Sequence, residues 1–325
     1  GLLSLEREQD KMHEIKNNKI LISGRAGFIG SNLTDALITN NEIVVVNDLS
    51  MGKLDNLPNS ENLHFYKETI TDYKFMSELL VKWKFDYIFL LAAVASVAYT
   101  IERPWVTHEI NQDANINILE IIRTEKLHPK KVHFASSAAV YGNNPELPKL
   151  EESVIDPLSP YAIDKYATER FVIDYGKLYD IPTVVTRFFN VYGPKQNPSS
   201  PYSGVLSLIS HALKKNTQFS MFGDGEQTRD FVYVKDVINA LQILMTTETA
   251  IHNVYNVATS RPISLNEVIK NFEKITSTKL NVRYTDARVG DIKKSYANID
   301  SIKRLGYTPM YDIEVGLKEY WNSIL

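Results

Sequence analysis

The stretch "ILISGRAGFIGSNL" (20–33) constrains this chain more than any other. An apolar run ends at Gly24, and a segment with helical spacing begins a few residues later. Between them Gly24, Gly27 and Gly30 stand at G-x-x-G-x-x-G spacing. The first glycine permits a tight turn, the second lets backbone approach a pyrophosphate, and the third allows close helix–strand packing. Glycine turns also end strands for structural reasons alone, so the context decides. Asp48 closes the next apolar run, "EIVVVNDLS", where a carboxylate would accept bonds from an adenosine ribose. The pair points to dinucleotide binding. Asp48 would repel a 2′-phosphate, which favours NAD over NADP. Arg25 either contacts the pyrophosphate or pulls the other way.

Downstream, short apolar runs alternate with amphipathic segments. Strands are expected over 19–24, 42–50, 62–70, 85–93 and 182–193 and a strand and turn over 131–142, with helices over 28–40, 74–83, 111–123 and from Tyr161 onward. This alternation predicts βαβ units and an α/β fold, a Rossmann-like doubly wound parallel sheet. Beyond 193 the pattern changes. "GPKQNPSSPYSG" reads as a long loop, followed by a helix (204–215), an edge strand at "FSMFG" and the loop "DGEQTRD". "HNVYNVA" (252–258) suggests a return to the main sheet. The expected division is a dinucleotide-binding domain over 1–190 plus about 231–259. A smaller C-terminal substrate-binding lobe would take about 191–230 and 260–325.

Composition excludes several classes. With no cysteine among 325 residues, disulfides and thiolate chemistry are absent. The seven histidines show no metal-ligand spacing, and no metal is expected. A net charge of −3 gives no reason to expect nucleic acid or a membrane surface as partner. No run is long enough to span a membrane. The N-terminus reads as a helical extension, with Leu2, Leu5, Met12 and Ile15 sharing part of a face, rather than a signal peptide. A cytoplasmic enzyme is the default.

In "SPYAIDKYATE" (159–169) Tyr161 and Lys165 lie four residues apart, on one helix face. Most Tyr-x-x-x-Lys pairs are ordinary packing. Here the pair follows a dinucleotide fingerprint and the strand end "ASSAAVYG", which offers the hydroxyl of Ser137. A free tyrosine titrates near 10, and lowering it by about three units takes roughly 4 kcal/mol of phenolate stabilisation. A lysine ammonium and an oxidised nicotinamide together could supply that. Tyrosine as base beside NAD⁺ implies alcohol oxidation by hydride transfer.

The chain resembles the extended short-chain dehydrogenase/reductases, and within them the UDP-hexose 4-epimerases. The matching stretches are "SGRAGFIGSNL", "NDLS", "FLLAAVASV", "FASSAAVYG", "LSPYAIDKYATE", "RFFNVYGPKQNP", "GDGEQTRDFVYVKDV" and "ARVGDIKKSYAN", from about residue 19 to 300. The resemblance implies that Ser137, Tyr161 and Lys165 are catalytic. Tyr161 would take the proton of the sugar 4-hydroxyl while C4 gives hydride to NAD, and the 4-keto sugar would turn over before both return. It also implies cofactor contacts at Phe28, Ile29, Ser50, Thr69, Ile70, Leu91, Ala92, Ala93, Asn111 and Phe188, besides Tyr161 and Lys165. Asn190, Arg229 and Arg288 fall on diphosphate-binding positions, and Asp291 on one that contacts the uridine ribose. Tyr202, Ser203 and Val205 belong to the loop against uracil.

Subtype follows in part. Related dehydratases carry an Asp-Glu pair where this chain has Ala138 and Ala139. Ser295 aligns with a residue near the sugar 2-substituent, and its small size leaves room for an N-acetyl group. Ala95, Ser96 and the N-terminal extension fit the N-acetyl-preferring subgroup. The implied substrates are UDP-GlcNAc/UDP-GalNAc, with UDP-Glc/UDP-Gal beside them. UDP-glucuronate 4-epimerisation, 4,6-dehydration and a non-catalytic NAD-binding sensor are the alternatives. Departures are Leu90 for a histidine, Thr69 for an aspartate, Val289 for a proline, and Arg25. The resemblance also implies a homodimer, joined through helices around 103–124 and 161–178.

Overall fold

The computed structural model describes residues 3–4, 13–24, 28–49, 57–93, 96–196 and 204–325. β1 (Lys19–Ser23) leads through α1 (Ile29–Leu37) to β2 (Glu42–Val46) and β3 (Leu63–Tyr66). Then come α2 (Tyr73–Trp83), β4 (Tyr87–Leu90), α3 (Val97–Glu102) and α4 (Pro104–His108). A π-helical turn over Glu109–Asp113 runs into α5 (Ala114–Thr124) and β5 (Lys131–Ser137). A 3-10 turn (Ala138–Tyr141), α6 (Pro160–Tyr179) and β6 (Thr183–Phe188) follow.

These strands, with β11 added below, form a seven-stranded sheet in the order β11-β6-β5-β4-β1-β2-β3. Every pairing in it is parallel. The near-continuous apolar runs have a direct cause: both faces are covered. Ile20 and Ile22 pack with Leu33 and Leu37 on one face. Leu21, between them, packs with Leu79, Leu80, Ile118 and Val172 on the other.

The remaining elements are β7 (Asn190–Tyr192), α7 (Val205–Lys215), β8 (Gln218–Phe222), β9 (Thr228–Arg229), β10 (Phe231–Tyr233) and α8 (Val234–Thr246). After them come β11 (Asn253–Val257), β12 (Ile263–Ser264), α9 (Leu265–Thr276), β13 (Asn281–Thr285), α10 (Asp300–Lys303) and α11 (Ile313–Ile324). Leu206, Ile209, Phe219, Phe272, Leu317 and Tyr320 centre a separate apolar cluster among α7, β8, α9 and α11.

Two local readings need correction, and a third gains a partner. The strand expected over 182–193 breaks at Phe189: β6 stays in the sheet, while β7 turns away to pair with β10. The "FSMFG" strand pairs with β13 in its own two-stranded sheet. No element was expected at 234–246, where α8 lies. Nine of its thirteen residues are buried, and the other four, Lys235, Asn239, Gln242 and Thr246, recur on one face. Of the N-terminal extension, Leu2, Leu5 and Met12 lie outside the described residues. Ile15 is buried in the main core, and His13 Nδ1 lies 2.8 Å from Thr246 Oγ1 at the end of α8.

Candidate active site

Strand order reverses between β1 and β4, which opens a crevice beyond the carboxyl ends of the strands. Gly24 sits there at φ +72°, donating its N–H to Val46 O at 2.8 Å. A Cβ on Gly24 would lie 2.4 Å from Ala92 Cα, so the turn after β1 presses directly on the loop after β4. Leu91 and Ala92 are buried there and Ala93 is half-buried. Asp48 lies two residues past β2, exposed at the same edge. Phe188 ends β6. Phe28, Ile29 and Gly30 are buried at the start of α1, whose first turn has neither a capping side chain nor an acidic residue. A helix start without a capping side chain, a glycine with no room for a Cβ and a carboxylate on the neighbouring strand suit a dinucleotide.

Ile70 is buried and Thr69 half-buried after β3, where Thr69 Oγ1 bonds Thr71 Oγ1 at 2.8 Å. Asn111 is buried in the π turn, and its carbonyl accepts from Thr168 Oγ1 of α6 at 3.2 Å. Arg25, Gly27, Ser50, Ala95, Tyr202 and Ser203 lie outside the described residues.

Ser137, Tyr161 and Lys165 come together, from β5 and the first two turns of α6. Ser159 caps α6 by accepting from Ala162 N at 3.1 Å, and Pro160 fixes the first turn, which sets where Tyr161 projects. The Tyr161 phenol is hydrogen-bonded to the Ser137 hydroxyl. Ser137 Oγ also accepts from Ala139 N at 3.1 Å, within the 3-10 turn that carries Ala138 and Ala139. Lys165 is buried. Its Nζ donates to Ala135 O at 2.7 Å and lies 5.8 Å from the centre of the Tyr161 ring. Burial pushes this lysine down to about 8, opposed by Glu169 and then Asp164.

Burial raises the Tyr161 phenol above its ordinary value, and only the Ser137 hydrogen bond pulls it back. Lys165 directs its proton to a β5 carbonyl, so spacing on the helix alone did not bring the ammonium onto the phenol oxygen.

Sequence reasoning missed a polar network behind this group. Glu169, fully buried, pairs with Arg187 of β6: Nη2 donates to Oε1 at 2.8 Å and Nε to Oε2 at 3.0 Å. Ser136 Oγ donates to Glu169 Oε2 at 2.5 Å. Arg187 Nη1 reaches Tyr141 OH at 3.0 Å, and that hydroxyl donates to Asn256 Oδ1 at 2.6 Å. The available signal was a glutamate four residues after Lys165 and an arginine inside an apolar strand.

On the far side, β7 and β10 pair so that Asn190 stands opposite Phe231, next to Arg229 of β9. Arg229 is partly buried and donates to Thr228 O at 2.7 Å; burial lowers its guanidinium from the ordinary value, opposed by Asp291. The structure thus joins two expected substrate residues. Asp230 does not pair with Arg229. Its carboxylate accepts from Thr259 N, Thr259 Oγ1, Ser260 N and Ala297 N at 2.7–3.2 Å. Ser295 is half-buried beside this strand and donates its N–H to Thr228 O at 3.2 Å. Arg288 lies on an exposed loop with its guanidinium 3.9 Å from the centre of the Phe222 ring, an aromatic the sequence reading did not single out. Val205 begins α7. The Ser96 hydroxyl caps α3, accepting from Tyr99 N at 3.0 Å. That is a structural use of a residue expected at the substrate.

The sequence profile of the family described as GDP-mannose 4,6 dehydratase matches residues 21–320. The chain belongs to this family, the extended short-chain dehydrogenase/reductases. It is 35% identical over 306 residues to a putative UDP-glucose 4-epimerase of Methanocaldococcus jannaschii, covering 93% of this chain and 97% of that one. It is similar to the solved UDP-N-acetylglucosamine 4-epimerase from Methanobrevibacter ruminantium M1 in complex with UDP-N-acetylmuramic acid. That likeness has a TM-score of 0.90 and 34% identity, covering 95% and 99% of the two chains. It is also similar to the UDP-glucuronic acid 4-epimerase from Bacillus cereus, solved with UDP-glucuronic acid and NAD. There the TM-score is 0.84 and the identity 28%, covering 94% and 98%.

Proposed function

We propose that this protein is an NAD-dependent C4 epimerase of UDP-hexoses, acting on UDP-GlcNAc/UDP-GalNAc and also on UDP-Glc/UDP-Gal. The observation that carries this is the Ser137–Tyr161 hydrogen bond beside Lys165, followed directly by Ala138 and Ala139. A dehydratase needs an acid and a base where the two alanines stand. This arrangement supplies a proton acceptor and a hydroxyl donor without them.

Gly24, Asp48, Ala92 and Phe188 are the residues that would hold NAD, which when bound accepts a hydride and returns it. Ser137 would steady the reacting oxygen, and Tyr161 would move the proton at Oη. Lys165 would hold positive charge beside the phenol, offsetting the burial that otherwise keeps it protonated. The sugar must present both faces, so binding has to rest on the diphosphate. Arg229, Arg288 and Asn190 have the chemistry for that. Ser295, small and half-buried beside Thr228, supports room at the 2-substituent.

The protein is proposed to act as a homodimer. On α3, α4 and α6, Ile101, Trp105, Val106 and Ile163 are 61, 87, 56 and 51% exposed, an apolar face suited to a second copy.

Incubating UDP-GlcNAc, UDP-Glc and UDP-GlcA separately and resolving products by NMR tests this reading. C4 epimers from the first two support it. A 4-keto-6-deoxy product, an epimer from UDP-GlcA alone, or no product from any of the three would overturn it.

A further inference from the structure

Tyr161, Lys165 and Glu169 recur at every fourth residue of α6 and so share one face. Each meets one of three consecutive residues at the end of β5. Lys165 Nζ bonds Ala135 O at 2.7 Å, Ser136 Oγ bonds Glu169 Oε2 at 2.5 Å, and the Ser137 hydroxyl bonds the Tyr161 phenol. The catalytic serine and tyrosine are therefore one rung of a three-rung contact, and Glu169 forms another. Glu169 is also tied to β6, because Arg187 stands opposite Ser136 in the β5–β6 register.

No proton or hydride step assigned above uses this carboxylate. Packing alone does not call for a charge at 169, since an apolar pair in place of a buried ion pair is often neutral or stabilising. One helical turn earlier on the same face lies a buried ammonium, Lys165. The other groups around Lys165 are fewer or weaker. Tyr161 lies on the same face. Asp164 precedes it, bonded at 2.7 Å to His108 Nδ1 from α4. From β5 comes His133, whose burial leaves its ring neutral, titrating at about 3. Of the two carboxylates, Glu169 has the larger effect on Lys165.

We propose that Glu169 is a positioning residue for the catalytic lysine. Gripping β5 and β6 through Ser136 and Arg187, it fixes a negative charge that keeps Lys165 charged and seated on Ala135, next to Tyr161. This rests on the reading of Lys165 as a catalytic group.

The test is ¹³Cε-lysine NMR on the whole protein without substrate, with the Lys165 signal assigned by its loss in Lys165→Met. In the unmodified protein Lys165 should titrate near 8. A midpoint at about 6 or below, as for a buried lysine lacking a counter-charge, would overturn the proposal. Glu169→Gln leaves Arg187 buried and unpaired and endangers the fold. Glu169→Gln/Arg187→Met removes the pair together. In a folded Glu169→Gln, Lys165 should titrate about one unit lower, and in the double variant, where a cation leaves with the anion, the fall should be smaller. NAD affinity, measured by calorimetry, should lose its pH dependence at a correspondingly lower pH. Glu169→Asp, which keeps the charge, should restore most of the shift. An unmoved midpoint in a folded Glu169→Gln variant would make Glu169 a structural residue only. The lysine titration requires no turnover, so a missing epimerase activity would refute the function without deciding the role of Glu169.

Discussion

Lys165 Nζ is bonded at 2.7 Å to the carbonyl oxygen of Ala135, so the ammonium beside the phenol is held by the sheet and not by its own helix. The distance between the lysine and the tyrosine is thereby set by the packing of α6 on β5. Damage to that packing and damage to the chemistry are separable, and the variants below use this.

Tyr161→Phe removes the proton acceptor and leaves the ring. Turnover of UDP-GlcNAc should fall by at least about a thousandfold. The melting temperature should stay within a few degrees, because the lost bond to Ser137 is worth about 1 kcal/mol. Product NMR and calorimetric NAD binding check both halves. Retained turnover would remove Tyr161 from the reaction.

Stability should depend on pH in a definite direction. Lys165 and Lys131 are both pushed by burial from 10.5 to about 8. Such a group binds fewer protons folded than unfolded between those values, so the stability it costs at neutral pH is recovered as pH rises through that window. Tyr141 and Tyr175 are raised from 10.0 to about 12, so the unfolded chain ionises first above 10 and stability then falls. The melting temperature should climb from about pH 8, peak near 10, and drop beyond. In Lys165→Met the climb should shrink, leaving the part due to Lys131 and to Lys149, which burial also lowers. Calorimetric scans across this range provide the check, and an unchanged slope would contradict the lysine's burial in charged form.

Gly24→Ala places a methyl 2.4 Å from Ala92 Cα at a backbone φ of +72°. Both the contact and the dihedral oppose it, at a cost of about 2 kcal/mol or more. Urea unfolding should show that loss. NAD affinity should fall by at least about tenfold, because the turn and the loop after β4 must separate. Unchanged affinity would place the dinucleotide elsewhere.

Trp105→Glu puts a charge at the most exposed aromatic of the α3–α4–α6 face, 87% exposed in the single chain. If two copies pair there, light scattering should show a dimer become a monomer, with the fold intact by circular dichroism. A monomer before substitution would refute the pairing.

What could be read from the chain was local. The strand–turn–helix at Gly24, the carboxylate after the next strand and the i,i+4 spacing of Tyr161 and Lys165 all fall within short windows, where period and residue type suffice. The Glu169–Arg187 pair was invisible because its partners sit on different elements, eighteen residues apart, and touch only once α6 lies on the sheet. Helix α8 does carry a one-sided polar stripe at Lys235, Asn239, Gln242 and Thr246, but it starts directly after β10 with no loop and no capping side chain to mark its beginning. The break at Phe189 was missed because the chain stays extended on both sides of it while changing sheets. The burial that raises the Tyr161 phenol was not legible, because spacing shows which groups are neighbours but not how dry their surroundings are.

β10 passes straight into α8, so residues 231–246 belong at one end to the pairing beside Arg229 and at the other to the layer under the main sheet. Asp236, in the first turn of α8, accepts the N–H groups of Met310 and Tyr311, while Asp230, just before β10, gathers the 259–260 and 297 backbone. This run is a strut shared by both parts of the molecule. Neither part has a complete interior without it, so a cut at either end of the strut would leave two fragments that must find each other before either could fold.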